Sequence, residues 1–168
     1  MPSRIGYLGL GSNVGDPRAN LAEAVARLDS AGVAVEAVSS LYATEPVGEI
    51  LEQADFLNAA VKVVTDLEPE ALLDVCKEIE LGMGRDPDAP RHSPRPVDID
   101  LLLLGEMELE TERLTLPHRE VSTRRFVLVP LLDLDPELAL PDGRALADCL
   151  AGLADAEQRV EAAGDLER

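Results

Sequence analysis

Asp98 and Asp100 stand two residues apart at the mouth of an apolar run, Val97-Asp98-Ile99-Asp100-Leu101-Leu102-Leu103-Leu104, directly after the basic stretch Arg91-His92-Ser93-Pro94-Arg95-Pro96. In a β-strand, residues i and i+2 share a face. The two carboxylates are therefore predicted to point the same way, with Val97, Ile99, Leu101 and Leu103 turned to a core on the other side. Carboxylates so placed hold hard divalent cations through oxygen, Mg²⁺ among them. Two like charges this close resist joint ionisation unless a cation or an arginine lies between them, and Arg85, Arg91 and Arg95 are just upstream. Carboxylates, Mg²⁺ and arginine together are the parts of phosphoryl chemistry. Asp-x-Asp alone is a common pattern whose bland reading is a solvated strand end; the arginine-rich setting argues against it here.

Three other groups bear on chemistry. Gly9-Leu10-Gly11-Ser12-Asn13-Val14-Gly15-Asp16 has the spacing G-x-G-x-x-x-G rather than G-x-G-x-x-G, and no parallel β-α-β alternation follows it. A tight strand-to-helix turn that admits a ligand close to the backbone is expected instead of a dinucleotide fold. The chain has only two Phe, two Tyr and no Trp, so the placing of each aromatic carries information. Phe56 and Asn58 share a strand face, pairing a flat apolar surface with an amide that both donates and accepts, which suits a planar heterocycle. Phe126 lies beside Arg124 and Arg125. Core packing is the ordinary role of either Phe taken alone. His92 and His118 are the only histidines and form no ligand cluster, so a zinc site is not expected. His118, in the loop Thr115-Leu116-Pro117-His118-Arg119, is placed either to donate to a phosphate or simply to be solvated.

Composition narrows the partners. The formal charge is −18, from 33 acids against 15 bases, which excludes the basic footprint of a nucleic-acid or anionic-membrane binder. Between positions 85 and 125 lie seven of the 15 bases and nine of the 33 acids, leaving eight and 24 elsewhere. Arginine is thus concentrated around the aspartate pair, where a small polyanion can be held on an otherwise repulsive surface. Cys76 and Cys149 form no C-x-x-C pattern and read as reduced core thiols. No apolar run approaches the roughly 20 residues that cross a bilayer, and the N-terminal run 5–11 is too short for a signal peptide. A soluble, cytoplasmic protein is expected. The 168 residues suit one domain with a core over about 4–153, and the polar stretch 156–168 reads as a loosely held tail.

The elements that would position these residues can be followed along the chain. Residues 5–10 read as a buried strand, and Asp16-Pro17 as an N-cap with proline in the first turn of a helix whose stripe is Leu21, Ala24, Val25 and Leu28. A valine-rich second strand is predicted over 33–41 and a third over 56–64. Glu68-Pro69 opens a helix with Leu72, Cys76, Ile79 and Met83 on one face, and Gly82 and Gly84 mark its end. Residues 85–96 hold four prolines without periodicity and read as a loop; 97–104 is the fourth strand. The order β-α-β-β-α-β is that of the ferredoxin-like plait, an α+β fold with helices packed on an antiparallel sheet. Short strand pieces are predicted in 107–116, and C-terminal helices at 124–132 and around Leu146, Leu150 and Leu153.

At this point the motifs can be taken together. Gly11-Ser12-Asn13, Thr44-Glu45-Pro46-Val47-Gly48, Asp55-Phe56-Leu57-Asn58-Ala59-Ala60, Glu80-Leu81 with Gly84-Arg85, Pro94-Arg95-x-x-Asp98-x-Asp100, Arg113-Leu114-Thr115-Leu116-Pro117-His118 and Arg124-x-Phe126 occur in this order. Over residues 5–150 the chain so resembles the 6-hydroxymethyl-7,8-dihydropterin pyrophosphokinase family of folate biosynthesis, which has the same plait. The resemblance implies transfer of the β,γ-diphosphate of ATP to the pterin hydroxymethyl group with release of AMP. It implies two Mg²⁺ on Asp98 and Asp100, with Arg85 and Arg95 neutralising phosphate charge as catalytic residues. It places Lys77, Arg91, Arg95, Leu101, Arg113, Thr115, His118 and Arg124 on ATP. The pterin would meet Thr44, Glu45, Pro46, Val47, Phe56, Asn58, His92 and Phe126, with the two phenylalanines as a sandwich. Loops 11–16, 47–53 and 85–96 correspond to those that close over substrate in the family. The family often carries Trp at His92, Gly at Ser93 and Pro at Ala54, and can carry arginine at Pro87 and an aromatic at Arg119. The departures at Pro87, His92, Ser93 and Arg119 bear on lid closure and ATP affinity; that at Ala54 is expected to matter little. The expected partners are the two small substrates, with no nucleic acid or membrane, and a monomer is expected over an oligomer. Two alternatives are a nucleotidyltransferase, which would release pyrophosphate but normally keeps its Gly-Ser turn and Asp pair close in sequence, and a non-catalytic nucleotide-binding plait, which would bind ATP without turnover.

Overall fold

Two leucines and two glycines alternate in the first strand, and that alternation organises the molecule. In β1 (Arg4–Ser12), Leu8 and Leu10 enter the larger core cluster, whereas Gly9 and Gly11 turn to the opposite face. In the computed structural model, which describes residues 3–44, 55–84, 96–153 and 160–166, this strand lies near the centre of a six-stranded sheet. Helix α1 (Pro17–Ser30) follows as expected: the Asp16 carboxylate accepts the Ala19 N–H, Pro17 takes the first turn, and Leu21, Ala24, Val25 and Leu28 are buried.

The valine-rich second strand is split into β2 (Ala34–Val38) and β3 (Ser40–Thr44), both antiparallel to β4 (Phe56–Thr65). Ser39 makes the break. Its N–H donates to the Ala60 carbonyl and its buried hydroxyl accepts the Ala60 N–H at 2.8 Å, a side chain standing in for a ladder carbonyl. Next come α2 (Pro69–Gly82), then β5 (Asp98–Leu104), then the small β6 (Leu109–Glu110) and β7 (Thr115–Leu116) pair, then α3 (Arg125–Leu134), α4 (Leu146–Ala151) and β8 (Val160–Asp165). The sheet order β5-β1-β4-β3-β8, with β2 also on β4, is that of the ferredoxin-like plait extended by one strand at its edge. α1 and α2 pack on one face around Leu8, Leu10, Ile99 and Leu101; α3 and α4 cover the other around Tyr7, Leu102, Leu103, Leu128 and Leu131.

Two expectations need correction. Leu103 does not share the face of Ile99 and Leu101. β1 and β5 slip register between Tyr7 and Leu8, so that Tyr7 pairs Leu103 and Leu8 pairs Leu101, and Leu102 is the extra residue of a bulge. Leu102 and Leu103 therefore both face α3. Nor is the C-terminal stretch simply a loose tail, because Val160–Asp165 is the edge strand paired to β3. Val160-Glu161-Ala162-Ala163-Gly164-Asp165 has almost no apolar alternation; backbone pairing and remote side chains hold it. The Arg18 guanidinium donates to the carbonyls of Ala163 and Asp165, and the Ser40 hydroxyl donates to Asp165 Oδ1 at 2.6 Å. No helix among the described residues is long and apolar enough to cross a membrane.

Candidate active site

The glycine face of β1 opens a cavity of about 420 Å³ between β4, β5, α2 and the start of α3. Its floor is two rows of paired residues. Asp98 on β5 faces Gly11 on β1, which faces Asn58 on β4; in the next row Asp100 faces Gly9, which faces Ala60. Directly paired residues of an antiparallel sheet share a face. Asp98 and Asp100 thus stand together on the cavity side, Asp98 half-buried and Asp100 exposed, and Ile99 between them enters the core. The two glycines leave the space beside the carboxylates open.

Across Gly11 the floor becomes a recognition surface. Asn58 is 8% exposed, and its Nδ2 donates to Oγ1 of Thr44, a buried residue at the end of β3. That bond fixes the amide so that Oδ1 leans over Gly11, where a Cβ would come within 2.6 Å of it. Phe56 shares this face of β4, and Phe126 lines the cavity from the first turn of α3. Arg124, at the α3 N-cap, lies with its guanidinium carbon 5.7 Å from the Phe126 ring centroid and pairs with Glu120 at 2.6 Å. His118 follows a cis Leu116–Pro117 peptide and is tied to β5 by its N–H to the Leu102 carbonyl at 2.9 Å. Its Nδ1 accepts the Glu120 N–H at 3.1 Å, so the neutral ring carries its proton on Nε2 and offers it as a donor.

On the α2 side, Lys77 and Glu80 complete the wall. Asp98 and Asp100, beside a glycine-floored hollow, fit a hard cation that takes its remaining ligands from water and phosphate oxygen, the habit of Mg²⁺. No group of three or more His, Cys, Asp or Glu able to hold a metal occurs among the described residues. Among the described residues, the cavity thus offers a cation two carboxylates and open positions.

The cavity brings together nine residues singled out from the sequence: Thr44, Phe56, Asn58, Lys77, Asp98, Asp100, His118, Arg124 and Phe126. Leu101 is turned into the core by strand alternation, so its side chain does not reach the cavity. Arg113 is held on the surface of α2 by Asp74 at 2.5 Å and Glu70 at 3.1 Å, and those bonds raise its pKa. Thr115 accepts from Arg119 outside the cavity lining. Glu45, Pro46, Val47, Arg85, Arg91, His92 and Arg95 lie outside the described residues, as do the loop expected at 47–53, all but Pro96 of the loop expected at 85–96, and positions 54, 87 and 93. Sequence reasoning gave Glu80 no role. Its signal was a carboxylate next to Ile79 and four residues after Cys76, on the apolar side of α2.

Comparison with known proteins decides the family. The 7,8-dihydro-6-hydroxymethylpterin-pyrophosphokinase family pattern matches residues 7–136. The chain belongs to this family. A Methylorubrum extorquens protein named 2-amino-4-hydroxy-6-hydroxymethyldihydropteridine pyrophosphokinase is 47% identical over 148 residues, 88% of this chain and 92% of its own. A Pseudomonas aeruginosa protein of the same name is 42% identical over 86% of this chain and 89% of its own. An Arabidopsis thaliana folate synthesis bifunctional protein is 44% identical over 76% of this chain, which spans only 26% of it. Among solved structures, an HPPK-DHPS in complex with substrates superposes with a TM-score of 0.73 at 15% identity, over 93% of this chain and 44% of that one. The chain spans less than half the length of that protein, and the likeness is one of fold. In this pyrophosphokinase family member, then, the cavity sits where the plait's central strands meet its C-terminal helices, with every described wall residue supplied by β1, β3, β4, β5, α2 or the segment 118–130.

Proposed function

We propose that this pyrophosphokinase family member transfers the β,γ-diphosphate of ATP to the hydroxymethyl oxygen of 6-hydroxymethyl-7,8-dihydropterin, in folate biosynthesis. The observation that carries the reading is the pair of floor rows: acceptor carboxylates on one side of Gly9 and Gly11, an amide and an aromatic ring on the other, in one cavity. The pterin lies between Phe56 and Phe126, and Asn58, held by Thr44, reads its polar edge. Glu45, Pro46, Val47 and His92 are the further pterin contacts that the family resemblance implies. The hydroxymethyl group then points across Gly11 toward Asp98.

ATP enters from the α2 and α3 side. His118 donates Nε2–H to a phosphate oxygen, and Arg124, with Lys77, Arg91 and Arg95, offsets its charge; Thr115 and Arg113 extend this side toward the β6–β7 hairpin, and Leu101 contributes through its backbone. The hydroxyl oxygen attacks the β-phosphorus in line, the bond from that phosphorus to the α,β-bridging oxygen breaks, and AMP leaves with the electron pair. The hydroxyl proton passes to solvent or to Asp98. Asp98 and Asp100 would hold Mg²⁺, two ions by the family resemblance, and the metal would supply Lewis-acid withdrawal of charge from the phosphate. Arg85 and Arg95 stabilise charge building on the leaving group. The chain acts in the cytoplasm as a monomer.

Asp100→Ala tests this reading. Asp100 is exposed, so the fold should be retained, with an unchanged circular dichroism spectrum and unfolding midpoint, while turnover falls by at least about 100-fold. Near-normal turnover would remove the metal assignment.

A further inference from the structure

Among the described residues, Glu80 is the one carboxylate in the buried polar set, 2% exposed on the face of α2 that also buries Leu72, Leu73, Cys76 and Ile79. A carboxylate taken out of water costs several kcal/mol unless hydrogen bonds and charge compensate, so its contacts define its role. Oε1 lies 3.6 Å from the Lys77 ammonium. Oε2 accepts the backbone N–H of Ile99 at 2.8 Å.

The second contact falls at the centre of the site. β5 is the edge strand of the main sheet, with β1 on one side only. An N–H of β5 that turns away from β1 has no strand to meet, and at Ile99 the Glu80 carboxylate takes the place of that missing strand. The Ile99 nitrogen belongs to the Asp98–Ile99 peptide, between the two aspartates. We propose that Glu80 is the positioning residue of the aspartate pair: by gripping the Ile99 amide it fixes that peptide plane, and so the direction and spacing of the Asp98 and Asp100 carboxylates. It acts through the hydrogen bond and not as a third ligand, in keeping with the two-carboxylate donor set. The helix that carries Lys77 to the ATP side is thereby tied to the strand that carries the metal ligands.

The inference rests on the reading of Asp98 and Asp100 as metal ligands, and two conservative variants test it. Glu80→Gln keeps a carbonyl oxygen for the Ile99 N–H and loses the charge; Glu80→Asp keeps the charge but is one methylene too short to reach. Hydrogen exchange of the Ile99 amide is first measured by NMR on each ligand-free protein. Mn²⁺ affinity is then measured by electron paramagnetic resonance in the presence of α,β-methylene-ATP, together with kcat and KM. The expected result is faster exchange at Ile99 in Glu80→Asp, with other β5 amides unchanged, and Mn²⁺ affinity lowered by about 10- to 100-fold. Glu80→Gln should stay within a few-fold of the parent in both. Loss in Glu80→Gln with parental behaviour in Glu80→Asp would make the charge, not the bond, responsible and overturn the proposal, as would equal loss in the two variants or unaltered Mn²⁺ affinity in Glu80→Asp. If the parent protein with the analogue binds no Mn²⁺, the metal reading itself fails, whereas parental binding that Glu80→Asp shares defeats only the role of Glu80.

Discussion

Gly11 offers the sharpest perturbation of the cavity floor. Alanine at this position has no backbone conflict, since Gly11 is not among the positive-φ glycines, so the whole effect comes from the added methyl. That methyl would stand 2.6 Å from Asn58 Oδ1 and 3.6 Å from Phe56 Cδ1. Bringing the first contact out to even 3.0 Å moves the amide by about 0.4 Å, and Asn58 is 8% exposed and bonded to a Thr44 that is 1% exposed. Overpacking of this kind costs about 1–3 kcal/mol, and losing the Asn58–Thr44 bond adds about 1 kcal/mol. The smaller entropy of the unfolded alanine chain returns roughly 0.4–1 kcal/mol. Gly11→Ala should therefore lose about 1–3.5 kcal/mol, equivalent to roughly 2–14 °C in Tm for a domain of this size. The displaced amide also raises KM for the pterin by about tenfold, the equivalent of about 1.4 kcal/mol. Gly9→Ala is the control. Its nearest contact is Leu102 Cδ1 at 3.4 Å, an ordinary approach, so stability is kept while the methyl, in the row of Asp100, lowers turnover. The assays are urea unfolding followed by circular dichroism and steady-state kinetics with each substrate varied. A Gly11→Ala protein with unchanged Tm and unchanged pterin KM would refute the reasoning.

Two further predictions concern the frame around the site. Burial, with Glu80 and Asp100 nearby, pushes the Cys76 thiol from its ordinary 9.0 up to about 12, so the stability it contributes is complete below pH 9 and is lost as pH rises from there toward 12; Cys76→Val should flatten the fall in urea midpoint over that window, and an unaltered fall would contradict it. Tyr7, raised to about 12 by burial and Asp135, contributes in both proteins and cancels from the comparison. Arg18→Ala removes the guanidinium that bonds two β8 carbonyls, and amides of 160–165 should then exchange about tenfold faster, for about 1.4 kcal/mol, with β4 unaffected; unchanged β8 protection would show that backbone pairing alone holds the strand.

Much of the site was legible because its chemistry coincides with simple periodicities. Asp98 and Asp100, like Phe56 and Asn58, share a face by the two-residue repeat of a strand, and the Asp16-Pro17 cap placed α1 correctly. What stayed hidden had no periodic signal. In Leu101-Leu102-Leu103-Leu104 every residue is apolar, so a bulge that turns Leu102 and Leu103 to the same side leaves no trace. Ser39 interrupts the second strand through a side-chain hydrogen bond that propensity does not register. β8 is held by backbone pairing and by Arg18, which is remote in sequence, so its small and polar residues read as a tail. Glu80 was visible as an acid on an apolar face, but its partner was a backbone N–H that only the packing of α2 against β5 supplies. Arg113 illustrates the reverse, since a motif residue is engaged here by Asp74 and Glu70 instead of facing the cavity.

The most direct measurement is the identity of the nucleotide product. The purified chain is incubated with ATP, Mg²⁺ and 6-hydroxymethyl-7,8-dihydropterin, and AMP, ADP and pyrophosphate are separated. The account predicts AMP, formed only when the pterin is present and in equal amount to the pterin diphosphate. Release of pyrophosphate would point instead to nucleotidyl transfer, and ATP binding without any product would leave a nucleotide-binding plait; either result contradicts diphosphoryl transfer across the floor of this cavity.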